Sequence, residues 1–237
     1  MLYMIGLGLY DESDISARGI EIARRCEVYA EFYTSRWAGS LAKLEEALGK
    51  RIQLLKRADL EENLHILLSK AKQTDIAVLV PGDPLCATTH IDLVLEARRQ
   101  HIPVQIIHNA SILSAVGEAG LQLYKYGRTA TVPFSKRLAA VKAALADNKK
   151  LGLHTLLLLD IDPVLGPMPA SMALQLLLKH RVLRPRDRLL VVAALGSEHP
   201  VIAYGAAAEL QREFKTPAVL IVPGKLHFRE REFLELL

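Results

Sequence analysis

The stretch Pro81-Gly82-Asp83-Pro84-Leu85-Cys86-Ala87-Thr88-Thr89-His90 follows the apolar run Ile76-Ala77-Val78-Leu79-Val80. That run is short, unbroken and rich in β-branched residues, the pattern of a parallel strand buried on both faces. The two prolines have no N–H to donate and do not belong inside a central strand, so the strand ends at Val80. Gly82 permits a turn that other residues resist and lets a ligand approach the main chain closely. Thr88 or Thr89 stands where it would cap a helix over Ile91-Asp92-Leu93-Val94-Leu95-Glu96-Ala97. A strand, a tight acidic turn and a helix together form the place where an open α/β sheet puts its ligand, beyond the carboxyl ends of the strands. A rigid turn explains this one stretch as well, but a second stretch repeats the geometry.

That second stretch is the N-terminus. Leu2-Tyr3-Met4-Ile5 reads as a strand, Gly6-Leu7-Gly8-Leu9-Tyr10-Asp11 as a turn, and Asp14 onward as a helix. The dinucleotide fingerprint requires a third glycine where Asp11 stands, so GxGxxG is not matched. Val28–Tyr33 reads as the next strand. Glu31 lies about twenty residues after the turn, where a ribose-binding acid sits in dinucleotide folds, but inside the strand rather than at its end. A helix over Leu41–Leu48 closes at Gly49. A short strand over Arg51–Leu55, a helix capped by Asp59 and running to Lys72, strand Ile76–Val80, a helix over 89–100 and strand Pro103–His108 follow. Five strands alternating with helices make one doubly wound layer. The polar break at Asn109-Ala110-Ser111 sets the domain boundary, giving residues 1–110 and 111–237. The second half reads as strands near 129–133, 153–159, 188–195, 200–204 and 218–222, with helices near 112–121, 136–148, 169–180 and 206–214. Pro163, Gly166, Pro167 and Pro169 make a rigid loop after strand 153–159. The expected class is α/β: two α/β domains, each a mixed, mostly parallel sheet flanked by helices.

Composition narrows the function. Of 237 residues, 51% are hydrophobic, enough for two cores. Mean hydropathy is +0.18, yet no apolar run reaches the roughly 18 residues of a spanning helix. Gly6, Gly8 and the acids after them break any leader-like run, and with only two cysteines, Cys26 and Cys86, a cytoplasmic protein without disulfides is expected. Net charge is +4. The cluster Lys179, Arg181, Arg184, Arg186, Arg188 reads as a solvated helix end and loop. Aromatic content of 5% offers no stacking platform for single-stranded nucleic acid, and none is expected as a partner. The cysteines and histidines have no metal-ligand spacing, so no metal is expected and His108, His154, His199 and His227 read as structural. There is no G-x-S-x-G elbow and no Walker A sequence.

Six stretches, IGLGLYDESDIS (5–16), AEFYTS (30–35), PGDPLCATTH (81–90), HNASILSAVGEAGLQLYKYG (108–127), GLHTLLLLDI (152–161) and IVPGKLH (221–227), together resemble the archaeal diphthine synthases. These belong to the tetrapyrrole-methylase type of S-adenosylmethionine-dependent methyltransferases. The resemblance runs in order from residue 2 to about residue 227. It implies a homodimer of two-domain chains with S-adenosyl-L-methionine in the cleft between the domains, leaving S-adenosyl-L-homocysteine as by-product. By motif match the cofactor residues are Leu9, Asp83, Cys86, Ser111, Ile112, Leu159, Leu195 and Ala218. From sequence alone, Leu159, Leu195 and Ala218 are ordinary core at strand ends. The implied substrate is the amine of the 3-amino-3-carboxypropyl-modified histidine of translation elongation factor two, methylated repeatedly. Tyr33, Arg36, Lys125, Lys136, Arg137 and Lys225 are candidates to meet that substrate. The chain departs from the family between Pro133 and Leu151, where Phe134-Ser135-Lys136-Arg137 replaces a longer loop.

Methyl transfer from a sulfonium needs a neutral amine held in line with the S–CH₃ bond in a dry site. A free α-amine has a pKa of ~7.7–8.0, so no dedicated base, and no catalytic triad, is expected. Two other readings stay open: a same-fold methyltransferase of a tetrapyrrole or other small molecule, and a nucleotide-binding regulatory module.

Overall fold

The first apolar run forms strand β1 (Leu2–Gly6), buried along its whole length. The computed structural model describes residues 1–237, which divide into two compact units, Met1–Leu113 and Ser114–Leu237.

In the first unit, β1 is followed by α1 (Ala17–Arg25), β2 (Glu27–Glu31), α2 (Leu41–Leu48), β3 (Gln53–Leu55), α3 (Arg57–Glu61), α4 (Leu64–Ala71), β4 (Ile76–Val80), α5 (Ile91–Arg99) and β5 (Val104–Ile107). The five strands pair in the order β3-β2-β4-β1-β5, and every pair is parallel. Side chains alternate across the sheet. Tyr3, Ile5, Val28, Ala30, Ala77 and Leu79 pack with Ile22 and Ala23 of α1 and Leu44 and Leu48 of α2. Leu2, Met4, Tyr29, Ile76, Val78 and Val80 pack with Leu67 and Leu68 of α4 and Leu93 and Val94 of α5. Covering both faces is why these strands are continuous apolar runs rather than alternating ones.

Three local expectations are corrected here. The helix expected from Asp14 starts at Ala17: Asp14 belongs to a 3₁₀ turn, its carboxylate accepts from Tyr10 N at 2.7 Å, and Ser16 caps the helix through Gly19 N. The helix expected from Asp59 to Lys72 is two helices, and Asp59 lies inside the first, accepting from Lys56 N at 2.7 Å. Neither Thr88 nor Thr89 caps α5, because Thr88 Oγ1 donates back to Pro84 O and the residue before the helix is His90.

The chain enters the second unit through α6 (Ile112–Ala115) and continues as β6 (Ala130–Val132), α7 (Ala139–Leu151), β7 (Thr155–Leu159), β8 (Ile161–Asp162), β9 (Gly166–Pro167), α8 (Ala170–Lys179), β10 (Arg188–Ala193), β11 (Val201–Ala206), β12 (Ala218–Val222) and α9 (Phe228–Leu234). Its sheet has the order β11-β10-β12-β7-β6. The α/β class stands, but this sheet is mostly antiparallel rather than mostly parallel. Only β6–β7, joined through α7, is parallel, while β7–β12, β12–β10 and β10–β11 are antiparallel. The seven residues between β10 and β11 are too few for the dozen or so that a parallel crossover needs. The helix expected over 206–214 is absent: Ala206 ends β11, and Glu209 folds back so that its carboxylate accepts from Ala206 N. Conversely, α9 (Phe228–Leu234) lies outside the helices that the sequence pattern predicts. No helix of the chain is long and apolar enough to cross a membrane.

Candidate active site

In the first unit β4, β1 and β5 are neighbours and parallel, so the loops that follow them leave the same end of the sheet. The first two loops clasp each other. Gly82 N donates to Gly8 O at 2.7 Å, and Gly8 N donates to Gly82 O at 3.2 Å. Gly8 and Gly82 have φ of +86° and +72°, a region that favours glycine. A Cβ on Gly6 would lie 2.5 Å from Gly82 O and 2.7 Å from Asn109 Cβ, so this crossing admits only glycine. The third loop is tied in by Asn109, whose Nδ2 donates to Gly6 O at 3.0 Å and Asp14 O at 2.8 Å.

Asp83 is buried behind this clasp. Its Oδ1 accepts from Leu85 N at 3.0 Å, while its Oδ2 accepts from Asn109 N at 3.3 Å and lies 2.7 Å from His108 Nδ1. Burial alone would raise its pKa, but these three partners outweigh burial and hold the carboxyl below its usual value. Cys86 is half-buried, and its N–H donates to Asp83 O. Burial raises its thiol pKa, so at neutral pH it is a thiol rather than a thiolate. Ser111 is buried and accepts from Leu113 N. Leu9 and Ile112 are half-buried. All five first-unit candidates therefore lie in the segments that follow β1, β4 and β5 at one end of one sheet.

Glu31 is the last residue of β2, not an interior one, and is fully buried. Its carboxylate accepts from Tyr33 N, Thr34 N and Thr34 Oγ1 and lies 3.2 Å from His90 Nε2. It closes the turn after β2 and is not free to hold a ribose, which removes one support of the nucleotide-binding reading.

In the second unit the remaining three candidates also converge. Antiparallel pairing sets Leu158 opposite Val219 and Ala193 opposite Ala218. Leu159 at the end of β7, Ala218 at the start of β12 and Leu195 just past β10 thus occupy one end of three adjacent strands. Leu195 is buried, while Leu159 and Ala218 are half-buried. The Pro217 carbonyl accepts from Ala194 N at 2.8 Å, and Ala194 has φ of +53°.

His108 and Asn109 are the residues sequence reasoning missed. The available signal was their place at the carboxyl end of β5, next to β1. Lys125 is corrected in the other sense. Its ammonium donates to Lys225 O and to the buried Glu230 carboxylate and is not free for a substrate. Arg36, Lys136, Arg137 and Lys225 are exposed. Tyr33 is half-buried beneath the Arg57 guanidinium, 5.3 Å from its ring centre.

Comparison with known proteins identifies the family. The family model of tetrapyrrole (corrin/porphyrin) methylases matches residues 1–211. The diphthine synthase of Methanocaldococcus jannaschii is 41% identical over 253 residues, covering 100% of this chain and 98% of its own. That of Methanosarcina acetivorans is 44% identical, with coverage of 99% and 94%. A crystal structure of diphthine synthase superposes with a TM-score of 0.94 at 39% identity, over 99% of this chain and 94% of the other.

Proposed function

This chain belongs to the tetrapyrrole methylase family, alongside the diphthine synthases, and from that premise we propose an S-adenosyl-L-methionine-dependent N-methyltransferase. Its substrate on this reading is the amine of the 3-amino-3-carboxypropyl-modified histidine of translation elongation factor two, which it methylates repeatedly. The observation that carries the proposal is the Gly8–Gly82 clasp, with Asp83 fixed behind it and Leu9, Cys86, Ser111 and Ile112 around it.

These residues suit the cofactor. Beside Gly82 a Cβ would find no heavy atom nearer than 3.8 Å, so a ligand has room against bare backbone there. Half-buried Leu9 and Ile112 offer apolar surface to a base, and buried Asp83 supplies negative charge for a cationic donor. When bound, the cofactor supplies a methyl group already activated on sulfonium sulphur. Leu9, Asp83, Cys86, Ser111 and Ile112 of the first unit would hold it, and we assign Leu159, Leu195 and Ala218 of the second unit to the same task.

The chain's own work is orientation and exclusion of water. An acceptor amine with a pKa near ~7.7–8.0 is partly neutral without help. Cys86, held as a thiol, serves as a small wall of the site rather than a nucleophile. We place the enzyme in the cytoplasm as a homodimer. Mass spectrometry tests the reading: precursor-bearing elongation factor two, incubated with this protein and S-adenosyl-L-methionine, should gain successive methyl increments at the modified histidine. Transfer only to a tetrapyrrole or other small molecule would overturn the substrate assignment and keep the chemistry.

A further inference from the structure

A hairpin leaves the second unit just beyond Leu159. β8 and β9 pair Ile161 with Pro167 and Asp162 with Gly166. The tip carries Val164 and Leu165, which are 91% and 70% exposed. Two adjacent branched apolar side chains held in water add nothing to the core. They are nevertheless held firmly: Asp162 Oδ1 accepts from Val164 N at 2.8 Å and Leu165 N at 2.9 Å, and Pro163 and Pro167 fix their own φ.

The base of the hairpin is clamped as well. Asp160 N donates to Val132 O, and Met168 N donates to Asp160 O at 2.8 Å. The Asp160 carboxylate accepts from Ile161 N at 2.9 Å with one oxygen and from Phe134 N at 3.0 Å with the other. It therefore joins the hairpin to the Pro133–Leu138 loop that follows β6. That loop exposes Lys136 and Arg137, and neither cation has a carboxylate within ion-pair reach. The result is a stiff two-loop projection, apolar at its tip and basic on its other arm, rooted next to Leu159.

A small acceptor is bound in a concavity, whereas a rigid apolar projection is useful only against a surface large enough to enclose it. Preformed loops also lose little entropy on docking. We propose that the two loops joined by Asp160 grip the folded protein that carries the acceptor amine, with Val164 and Leu165 entering an apolar groove and Lys136 and Arg137 meeting acidic groups on its rim. This rests on the reading that the acceptor is carried by a protein. The root at Leu159 argues for that occupant, because a surface gripped there is brought to the strand ends assigned to the cofactor.

Two double variants test the inference. Val164→Ser with Leu165→Ser should leave Tm, the KM for S-adenosyl-L-methionine and turnover on a short peptide bearing the same modified histidine unchanged. The KM for the intact protein should rise at least tenfold. Lys136→Glu with Arg137→Glu should raise the KM for the intact protein and flatten its dependence on salt. An unaltered KM for the intact protein, an equal loss on peptide and protein, or a shift of the tip variant's mass in light scattering would overturn the docking role; the last would make the tip a contact between copies. Wild-type protein that methylates neither peptide nor factor would overturn the underlying reading, and the docking role with it.

Discussion

Asp83 has room for about four hydrogen bonds, and three are taken by Leu85 N, Asn109 N and His108 Nδ1. It fixes two loops against each other, and on the proposed reading its charge faces the cationic donor from that fixed place. Asp83→Ala should weaken S-adenosyl-L-methionine binding at least tenfold in calorimetric titration, about 1.4 kcal/mol, and unchanged affinity would remove Asp83 from the site. Gly6 presents a sharper case. Gly6→Ala drives a methyl group to 2.5 Å from Gly82 O, a backbone atom that cannot swing aside. The expected cost is about 2–3 kcal/mol in urea unfolding, together with loss of cofactor binding as the clasp opens. At Cys86, substitution by Ser should leave methyl transfer within a few-fold of the parent chain, since half-burial keeps its sulphur a thiol and the proposed role needs no nucleophile.

At the scale of elements, α9 is held by a buried polar network. His154 Nδ1 accepts from Gly224 N at 2.9 Å, so the ring proton is on Nε2 and points at Glu230 Oε1, 3.0 Å away. Glu230 also accepts from Gln122 N, His227 N and Lys125. Burial would raise the Glu230 pKa, but these partners prevail and hold it down to about 2. Burial lowers the His154 pKa against the opposing pull of Glu230, so the folded chain favours the neutral ring. Both groups bind protons more readily when unfolded. Their contributions are therefore complete above the ordinary histidine value of 6.5 and decline as pH falls, first through His154 and then between 4.5 and about 2 through Glu230. The urea midpoint should drop steadily below pH 6.5. Glu230→Gln should cost about 3 kcal/mol at neutral pH and flatten the acid limb.

On the scale of the whole molecule, the functional reading predicts which ligand stabilises the chain. S-adenosyl-L-homocysteine at about a hundred times its Kd should add ~2.7 kcal/mol and raise Tm, while NAD and ATP should not. Stabilisation by NAD alone would return the nucleotide-binding reading. The sequence by itself determined the local chemistry: strand Ile76–Val80, its end at Pro81, the glycine turns at Gly6–Gly8 and Gly82, and the family, through six ordered stretches. These are decided within a few residues, where an unbroken apolar run, a missing N–H or an absent Cβ leaves little choice. The short β10–β11 connection already implies antiparallel pairing, but only the tertiary structure decided the antiparallel sense of β7–β12 and β12–β10. An apolar run looks the same in either pairing, and the sense follows from connections and from β12 entering between β10 and β7. The same insertion gathers Leu159, Leu195 and Ala218 from distant parts of the chain. Likewise the partner of Asp83 is His108, 25 residues on, and the anchor of the charge-rich helix α9 is His154, 76 residues from Glu230. Buried Asp83, His154 and Glu230 must each find a partner once water is excluded, exposed His108 serving Asp83, and that burial exists only once the sheets have formed.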